Sequence, residues 1–311
     1  MSRAEPTGTG GRTAAPLRAA SDPAAAPARR AARQFGCAAR VARWCAFYVV
    51  VGLGAVVMLL PLAWMLSTAA KPLAEAASPE LILVPSRFVL WENVQAAFQR
   101  VPMGTYFYNS TVVSLCTVSG ELFFCSLAGF SFAKYSYPGR DLLFTLVLST
   151  MMIPFFVVVI PVYIVVYGFG WLNSYWGLIV PGLVSAFGVF LMRQWMLGIP
   201  TELLDAARID GSSEFGIFGR IVLPLSGPAL ATLAILSFMG SWDSYIWPLL
   251  VVSKKSLMTV PLGLTLFQSE WQVYWNELMA ASLLFMLPTF VVFLVFQRQF
   301  VQGVTMTGLK G

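Results

Sequence analysis

Histidine is absent from this sequence, and charged residues are scarce. None of the 311 residues is histidine and 11% are charged, whereas soluble domains carry about 25% charged residues. The chain therefore lacks the commonest metal ligand and general base. This composition excludes an ordinary soluble domain, and 58% hydrophobic residues with a mean hydropathy of +0.75 indicate a membrane protein.

Cysteine is also scarce and irregularly placed. Cys37 lies near the N-terminus, and Cys45, Cys116 and Cys125 fall in apolar segments with no spacing typical of a disulfide pair or a metal site. The sequence has no Gly-rich phosphate loop ending in Gly-Lys-Ser or Gly-Lys-Thr. We therefore expect no catalysis, no metal and no bound cofactor in this chain itself.

Long apolar segments recur along the chain. A helix needs about 20 predominantly apolar residues to cross the hydrocarbon core of a bilayer. The segments near or above that length span residues 44–67, 105–132, 141–167, 175–196, 225–247 and 277–297. The second of them contains Glu121. This pattern predicts an all-α integral membrane protein with six transmembrane helices.

The basic residues predict the orientation of these helices. If the N-terminus is cytoplasmic, the inside segments hold fifteen of the 20 Lys and Arg residues and the outside segments hold five. The inside segments are then 1–43, 134–140, 193–224 and 298–311, and the outside segments are 71–104, 168–174 and 248–276. Because cytoplasmic loops carry an excess of Lys and Arg, both termini are predicted to be cytoplasmic. Topology explains the net charge of +6, so we expect no nucleic-acid partner.

Residues 1–43 differ in composition from the rest of the chain. They are rich in Ala, Pro, Gly and Arg and contain almost no aromatic or branched apolar residues. Such a segment buries too little surface to offset the entropy lost on ordering. We predict a disordered cytoplasmic tail ahead of a membrane domain at 44–311. An Arg-rich transit peptide is the alternative.

A polar loop at residues 197–224 separates the fourth and fifth apolar segments. Pro200 is typical of a helix start, Thr201 is predicted to cap that helix, and Gly211 is typical of a helix end with positive φ. Ser212 or Ser213 then caps a second short helix. The loop has four acidic residues, Glu202, Asp205, Asp210 and Glu214. It also has two arginines, Arg208 and Arg220. We predict a short helix–turn–helix at the membrane surface.

Two interpretations of this loop differ in what the first helix contacts. Leu203, Leu204 and the small pair Ala206-Ala207 suit insertion into a groove on a partner protein. The alternative is a helix that rests on lipid headgroups, which favours a polar face rich in Lys and Arg. Because the polar face here is acidic, a protein partner is favoured.

The loop also carries a recognisable pattern. It consists of Asp205-Ala206-Ala207, three residues, Gly211, nine residues, and Ile221-x-Leu223-Pro224. This closely resembles the EAA signature of ABC-importer permeases, with Asp205 in place of the usual Glu. Other segments are similar to the second permease subunit of maltose-type and oligosaccharide importers: Asn109–Ser114, Ser126–Lys134 with Pro138-Gly139 after it, Leu172–Pro181, Ser241–Pro248, Gln297–Gly303 and Gly308–Gly311. The resemblance covers about residue 44 to the end.

The resemblance implies a fold and a set of partners. The fold is the six-helix architecture of type I importer permeases, with a core at about 105–297, a coupling loop at about 197–224 and a C-terminal tail at 298–311. The protein is expected in the plasma (inner) membrane. Its partners are a second permease subunit in a heterodimer, a cytoplasmic ATPase dimer that uses ATP and Mg, and an extracytoplasmic sugar-binding protein.

The same resemblance implies roles for particular residues. The coupling set comprises Glu202, Leu203, Leu204, Asp205, Ala206, Ala207, Asp210, Gly211, Ile221, Leu223 and Pro224. A C-terminal contact with the ATPases involves Gln302, Gly303, Lys310 and Gly311.

The translocation path is less well marked. Ionisable residues inside spans are costly and usually face a cavity or a partner. Our candidates for the path are Asn109, Glu121, Trp242, Asp243, Tyr245 and Trp247. For Glu121 the alternative is a hydrogen bond within the helix bundle, and for the aromatic residues it is an interfacial belt.

Two other classes of function remain open from the sequence alone. A secondary transporter or channel also has several spans, but typically with an internal repeat and ionisable groups at the midplane. A membrane assembly protein accounts for an acidic docking loop, but not for the EAA spacing. Within the permease family, a glycerol-phosphate-ester substrate is the alternative to a sugar. The absence of a basic residue well inside the spans leans towards a neutral sugar.

Overall fold

The computed structural model describes the backbone of residues 26–269 and 271–308 and the side chains of residues 43–269 and 271–296. Within these ranges the regular structure is helical, apart from an isolated antiparallel bridge between Gln268 and Val273. The all-α prediction is confirmed.

The chain divides into two units, residues 1–62 and residues 63–311. The first unit contains most of helix α1 (Ala26–Ala69), which includes an apolar stretch at Arg43–Ala69. Where composition predicted a disordered tail, residues 26–43 form the start of this helix. Ala and Arg are among the strongest helix formers, which explains the difference. Residues 1–25 lie outside the described part of the chain.

The apolar side chains of the first unit are exposed within it. Trp44, Phe47 and Tyr48 contact one another in one aromatic cluster, and each is more than half exposed. An apolar helix surface of this kind is expected to face lipid.

The second unit contains the remaining helices. They are α2 (Leu73–Ala76), α3 (Leu90–Arg100), α4 (Met103–Lys134), α5 (Arg140–Thr150), α6 (Phe155–Gly168), α7 (Tyr175–Ile179), α8 (Ala186–Leu197), α9 (Thr201–Ile209), α10 (Glu214–Ile217), α11 (Leu223–Leu225), α12 (Gly227–Trp242), α13 (Ile246–Val251), α14 (Val260–Leu264) and α15 (Trp275–Gly308). Short 3₁₀ turns lie at Val180–Gly182, Lys255–Leu257 and Thr265–Phe267, and a π-turn lies at Phe218–Val222.

Among the described residues, three helical segments are long and apolar enough to cross a membrane by themselves: Arg43–Ala69, Met103–Lys134 and Trp275–Phe296. Three further spans exist if each of three bent helix pairs counts as one. These pairs are Arg140–Thr150 with Phe155–Gly168 (104°), Tyr175–Gly182 with Ala186–Leu197 (40°), and Glu214–Leu225 with Gly227–Trp242 (80°). The described part of the chain therefore has three to six candidate spans, and the upper figure equals the predicted number.

Proline accompanies each bend. Pro154 precedes α6, Pro181 lies in the 3₁₀ turn before α8, and Pro228 follows the break at Ser226. Proline lacks the N–H that continues a helix and sterically displaces the preceding turn. Hydropathy alone locates these spans but does not reveal that they are bent.

Glycine allows α4 and α8 to pack closely. A Cβ on Gly129 would lie 2.7 Å from the Cβ of Met192 and 2.9 Å from the backbone nitrogen of Arg193. A Cβ on Gly188 would lie 2.7 Å from the sulfur of Cys125. Small residues at such contacts let helix backbones approach within a membrane. The main buried cluster, which includes Cys125, Phe130, Val189 and Met192, surrounds this contact.

Polar contacts tie α3 to α15 at the other end of α4. The Nε and Nη2 atoms of Arg100 donate to the two carboxylate oxygens of Glu277 at 2.5 and 2.8 Å. Asn276 donates to Asn93, which in turn donates to the backbone oxygens of Ala69 and Lys71. Paired charges and amides of this kind hold α15 against the start of the bundle.

We expect Gly129→Ala to destabilise the protein by about 1–3 kcal/mol, because a methyl group there overlaps the backbone of α8. The matched control is Gly104→Ala on the same helix, where an added Cβ meets no atom within 4 Å. Alanine is the better helix former, so this control should be neutral or stabilising. Thermal unfolding of both variants in detergent measures the difference, and equal midpoints would contradict the close-packing account.

Candidate functional site

The polar loop folds as a helix with a well-defined end. Gly211 has φ of +83°, its N–H donates to the carbonyl of Arg208, and the N–H of Ser212 donates to the carbonyl of Ala207. These two bonds form a Schellman motif, which needs a residue in the left-handed region and favours glycine. The predicted termination of the helix at Gly211 is confirmed.

The predicted start of the first helix needs one correction. Thr201 is the first residue of α9 rather than its cap; Pro200 occupies the cap position without a side-chain hydrogen bond. The second helix is capped by Ser213, one of the two predicted serines, whose hydroxyl accepts from the N–H of Gly216 at 3.2 Å.

Helix α9 has a buried face and an exposed face. Leu204 is fully buried and Ala207 is 8% exposed, and both belong to the main core cluster with Ile217 and Val222. Leu204 and Ala207 were expected to enter a partner's groove, but in this structure they pack inside the chain itself. The exposed residues of the helix and its end are Thr201, Glu202, Leu203, Asp205, Ala206, Ile209, Asp210 and Gly211.

Arg208 connects the two short helices of the loop. Its Nη1 donates to Oδ1 of Asp205 at 2.7 Å, and its Nε and Nη2 donate to the two oxygens of Glu214 at 2.8 and 3.2 Å. The hydroxyl of Tyr135 also donates to Glu214. Tyr135 follows the last residue of α4, so the loop is bound to the end of a membrane-spanning helix.

These contacts shift the acid–base properties of the cluster. The hydrogen bonds from Arg208 and then Tyr135 lower the pKa of Glu214 below its usual value. Burial, followed by the bond to Glu214, raises the pKa of Tyr135 to about 12. The cluster is therefore fully formed at neutral pH, with Glu214 ionised and Tyr135 neutral.

A second tie comes from Lys134. Its Nζ donates to the backbone oxygen of Ile199 at 2.5 Å, at the turn between α8 and α9. Sequence reasoning did not find Lys134 or Tyr135 as part of the loop's structure. They lie 65 and 79 residues from their partners, and no local pattern in the sequence marks such a pairing.

The loop continues into α12 through an irregular segment. The π-turn at Phe218–Val222 precedes α11 and then the 80° bend. Ile221 and Leu223 are partly buried against the main core, and Pro224 is exposed. Wider helical turns of this type are rare and occur frequently at functional sites.

The predicted path residues do not form one site. Glu121 and Trp247 line a cavity of about 400 Å³ between α4, α12 and the bend before α8. Asp243 instead lines a separate cavity of about 290 Å³ with residues of α15. Tyr245 is half-buried and packs in a cluster with residues of α7.

Two path candidates have structural roles instead. Trp242 is 2% exposed, stacks between Phe238 and Phe285, and donates its indole N–H to the Phe285 carbonyl. Its faces are therefore not free to stack on a ligand. Asn109 is 1% exposed, donates to the carbonyls of Ser256 and Met258, and accepts from the Tyr175 hydroxyl.

The predicted C-terminal contact residues fall at the limit of the described chain. Gln302 and Gly303 lie in the final part of α15, and nothing is described of the Gln302 side chain. Lys310 and Gly311 lie outside the described residues. In the part of the chain with described side chains, no group of three or more Cys, Asp and Glu residues is arranged to hold a metal.

The bent spans and the anchored polar loop define a helical membrane transport subunit. Residues 126–306 match the family described as "Binding-protein-dependent transport system inner membrane component". The chain belongs to this family, and it is a permease subunit of an ABC importer.

Named relatives support this assignment. The chain is 41% identical over 206 residues to the arabinooligosaccharides transport system permease protein AraQ of Bacillus subtilis (strain 168), covering 66% of this chain and 73% of that protein. It is 34% identical over 264 residues to the sn-glycerol-3-phosphate transport system permease protein UgpE of Pectobacterium atrosepticum, covering 82% and 94%. It is 31% identical over 256 residues to the lactose transport system permease protein LacG of Rhizobium radiobacter, covering 82% and 93%.

A solved structure has the same fold. A chain in the crystal structure of a bacterial ABC transporter involved in the import of the acidic polysaccharide alginate superposes with a TM-score of 0.72 at 20% identity, covering 86% of this chain and 97% of that one. The type I permease architecture is thereby confirmed, and the unrelated secondary-transporter alternative is not favoured.

We expect Glu214→Gln to weaken the loop by less than about 1 kcal/mol at neutral pH, because the ion pair with Arg208 is about half exposed. The pKa of Glu214 is lowered by folding. Its contribution is thus present above the unfolded value near 4.5 and disappears as pH falls through the folded value. The unfolding midpoints of Glu214→Gln and of the wild type are measured between pH 3 and pH 7, roughly the range that brackets this titration. The two midpoints should become equal at the acidic end. The control is Glu80→Gln, because Glu80 is an exposed acid outside the loop. A difference in midpoint between Glu214→Gln and the wild type that stays constant across this pH range would contradict a stabilising ion pair between Glu214 and Arg208.

Proposed function

We propose that this chain is a carbohydrate permease subunit that couples sugar import to ATP hydrolysis in separate subunits through the loop at 197–224. The observation that carries the proposal is the two-sided construction of α9. One face packs into the core through Leu204 and Ala207. The other face exposes Leu203, Ala206 and the acidic residues Glu202, Asp205 and Asp210, of which Asp205 is paired with Arg208.

The exposed face suits an ATPase that docks on it. Leu203 is 47% exposed and Ile209 is 87% exposed, so the helix presents apolar side chains beside Glu202 and Asp210. An amphipathic helix that offers such anchors fits a groove on a partner. In this arrangement the ATPase contacts Leu203, Ala206 and the acidic residues directly. Leu204 and Ala207 hold the helix in place by packing against the core.

The anchored face suits transmission of movement. The hydrogen bonds of Glu214 with Arg208 and Tyr135 join the loop to the end of α4. Lys134 at the end of α4 also binds the turn before α9. A displacement of α9 therefore moves α4 with it. The segment through Leu223 and Pro224 connects the loop to α12. A rigid connection of this kind converts closure of an ATPase dimer into movement of two spans.

The other partners follow from the family. Its description as binding-protein-dependent implies a binding protein and an ATPase. We propose a second permease subunit in a heterodimer, with both termini of this chain cytoplasmic and the C-terminal segment, including Gln302, Gly303, Lys310 and Gly311, in contact with the ATPases. Neither ATP nor Mg is proposed to bind to this chain.

Sugars are proposed as the substrate class because the arabinooligosaccharide and lactose permeases are among the relatives. The second candidate is a glycerol phosphate ester, since the relative UgpE covers more of the chain at 34% identity. Uptake assays with the assembled importer and both substrate types decide between them.

We expect cysteine at position 206, introduced as Ala206→Cys, to crosslink to a cytoplasmic ATPase in native membranes and to change in yield when ATP is added. Position 207 is the matched control, because Ala207→Cys places the thiol on the buried face and should react much less. Crosslinking that is equal at both positions, or absent at position 206 in a folded protein, would contradict the docking face.

Substitutions of Gly211 should impair uptake in order of their tolerance of positive φ. Asn adopts this conformation most readily, Ala at a cost of about 1–2 kcal/mol, and Val at a higher cost. We therefore expect uptake to fall from Gly211→Asn to Gly211→Ala to Gly211→Val while the protein stays in the membrane. Gly227→Ala, where an added Cβ meets no atom within 4 Å, is the control. Normal uptake by Gly211→Val would remove the basis for a rigid loop.

A further inference from the structure

The cavity beside α4 is lined by polar groups that have no partner. Val113, Thr117 and Glu121 are spaced by four residues and therefore share one face of α4. Ser237 and Ser241 line the facing side on α12 in the same spacing. The cavity volume of about 400 Å³ lies in the range of sites for small molecules.

The hydroxyl groups of this cavity are unsatisfied. The side-chain oxygens of Thr117, Ser237 and Thr259 are buried and have no hydrogen-bond partner among the described residues. Thr117 is 7% exposed and Thr259 is 4% exposed. Buried polar atoms are normally hydrogen-bonded, so these three hydroxyl groups can still bond to a ligand or water that reaches them.

Glu121 is the one charged residue among the described residues that line this cavity. It is 7% exposed, and no described side chain forms an ion pair with it. The expected alternative of a hydrogen bond within the bundle finds no partner in the described chain. A carboxylate in a span is tolerated where it faces a hydrated cavity, and the wall of this cavity is such a place.

We propose that Glu121 makes this cavity selective for neutral, hydroxyl-rich ligands and against anionic ones. The carboxylate accepts hydrogen bonds from ligand hydroxyls, and the hydroxyls of Thr117, Ser237 and Thr259 both donate and accept. A phosphate or uronate group entering the same space meets a like charge and no cationic side chain on the described wall. That the neutral ligand is a sugar rests on the proposed function.

The proposal separates two groups among the relatives. The AraQ and LacG systems are named for neutral sugars, and the UgpE system is named for a phosphate ester. Overall identity does not distinguish these groups for this chain. The proposal predicts that the sign of the charge in the cavity places this chain with the neutral-sugar systems, because that charge acts directly on an entering ligand.

The test measures the electrostatic field at Thr117, one helical turn from Glu121. Thr117→Cys is introduced into a chain whose native cysteines have been replaced, and the importer is reconstituted with its partner subunits. The rate of thiol modification is compared for a cationic ammonium and an anionic sulfonate methanethiosulfonate reagent, each divided by its rate with free cysteine. Any change in the intrinsic reactivity of the thiol affects both reagents equally and cancels in the ratio.

We expect the cationic reagent to react about tenfold faster or more, because the two reagents have opposite interactions with a carboxylate a few ångströms away. Glu121→Gln keeps the shape and should bring the ratio close to one. Glu92→Gln, an exposed acid on α3, should leave the ratio unchanged. Ser241→Cys on the facing wall is a second reporter in case Thr117→Cys fails to fold.

Two results would overturn the proposal. A ratio near one with Glu121 present means that the carboxyl group is neutral or is paired with a cation of the second permease subunit. A ratio that survives Glu121→Gln means that another group creates the field. The reagents report on charge whether or not a sugar is carried, so a charge preference in an importer that takes up no sugar would refute the proposed function and leave the selectivity standing.

Uptake by the intact importer tests the role of Glu121 as a hydrogen-bond acceptor. Hydrogen bonds to a charged acceptor are stronger than those to a neutral one, so Glu121→Gln should lower kcat/KM for a neutral sugar by about tenfold. Unchanged uptake would show that the ligand does not contact Glu121.

Discussion

The close contact of α4 with α8 is the constraint on which the rest of this structure depends. Gly129 and Gly188 allow the two backbones to approach where a Cβ would overlap its neighbours. With α4 fixed in this way, its central part forms one wall of the cavity with Glu121, and its end holds the polar loop through Lys134 and Tyr135. A single helix thus connects the cavity to the loop.

The few charged residues of the chain are placed where a charge has a specific effect. Arg208 binds Asp205 and Glu214 and sets the geometry of the loop. Arg100 and Glu277 join α3 to α15. Glu121 lies beside the cavity without an ionic partner among the described residues. Since a charge in a membrane protein is costly unless it is paired or hydrated, the position of Glu121 indicates contact with water or ligand.

Local sequence chemistry predicted the features that depend on neighbouring residues. The end of α9 at Gly211 follows from the need for positive φ, and the spans follow from hydropathy because lipid requires helices with apolar surfaces. The bends were not predicted, since Pro154 and Pro181 are compatible with straight or bent spans. The structural roles of Trp242 and Asn109 were not predicted either, because their hydrogen-bond partners come from distant segments.

The sequence by itself determined that this is a helical membrane protein with an EAA-type loop, because composition, hydropathy and the spacing from Asp205 to Pro224 are local properties. Only the tertiary structure decided which face of α9 is available to a partner. Leu203 and Leu204 are adjacent and chemically alike, yet one is exposed and the other is buried. The difference arises because Leu204 packs against Ile217 of α10 and the rest of the core cluster, whereas Leu203 does not. These contacts join residues that are distant in sequence, which no local pattern encodes.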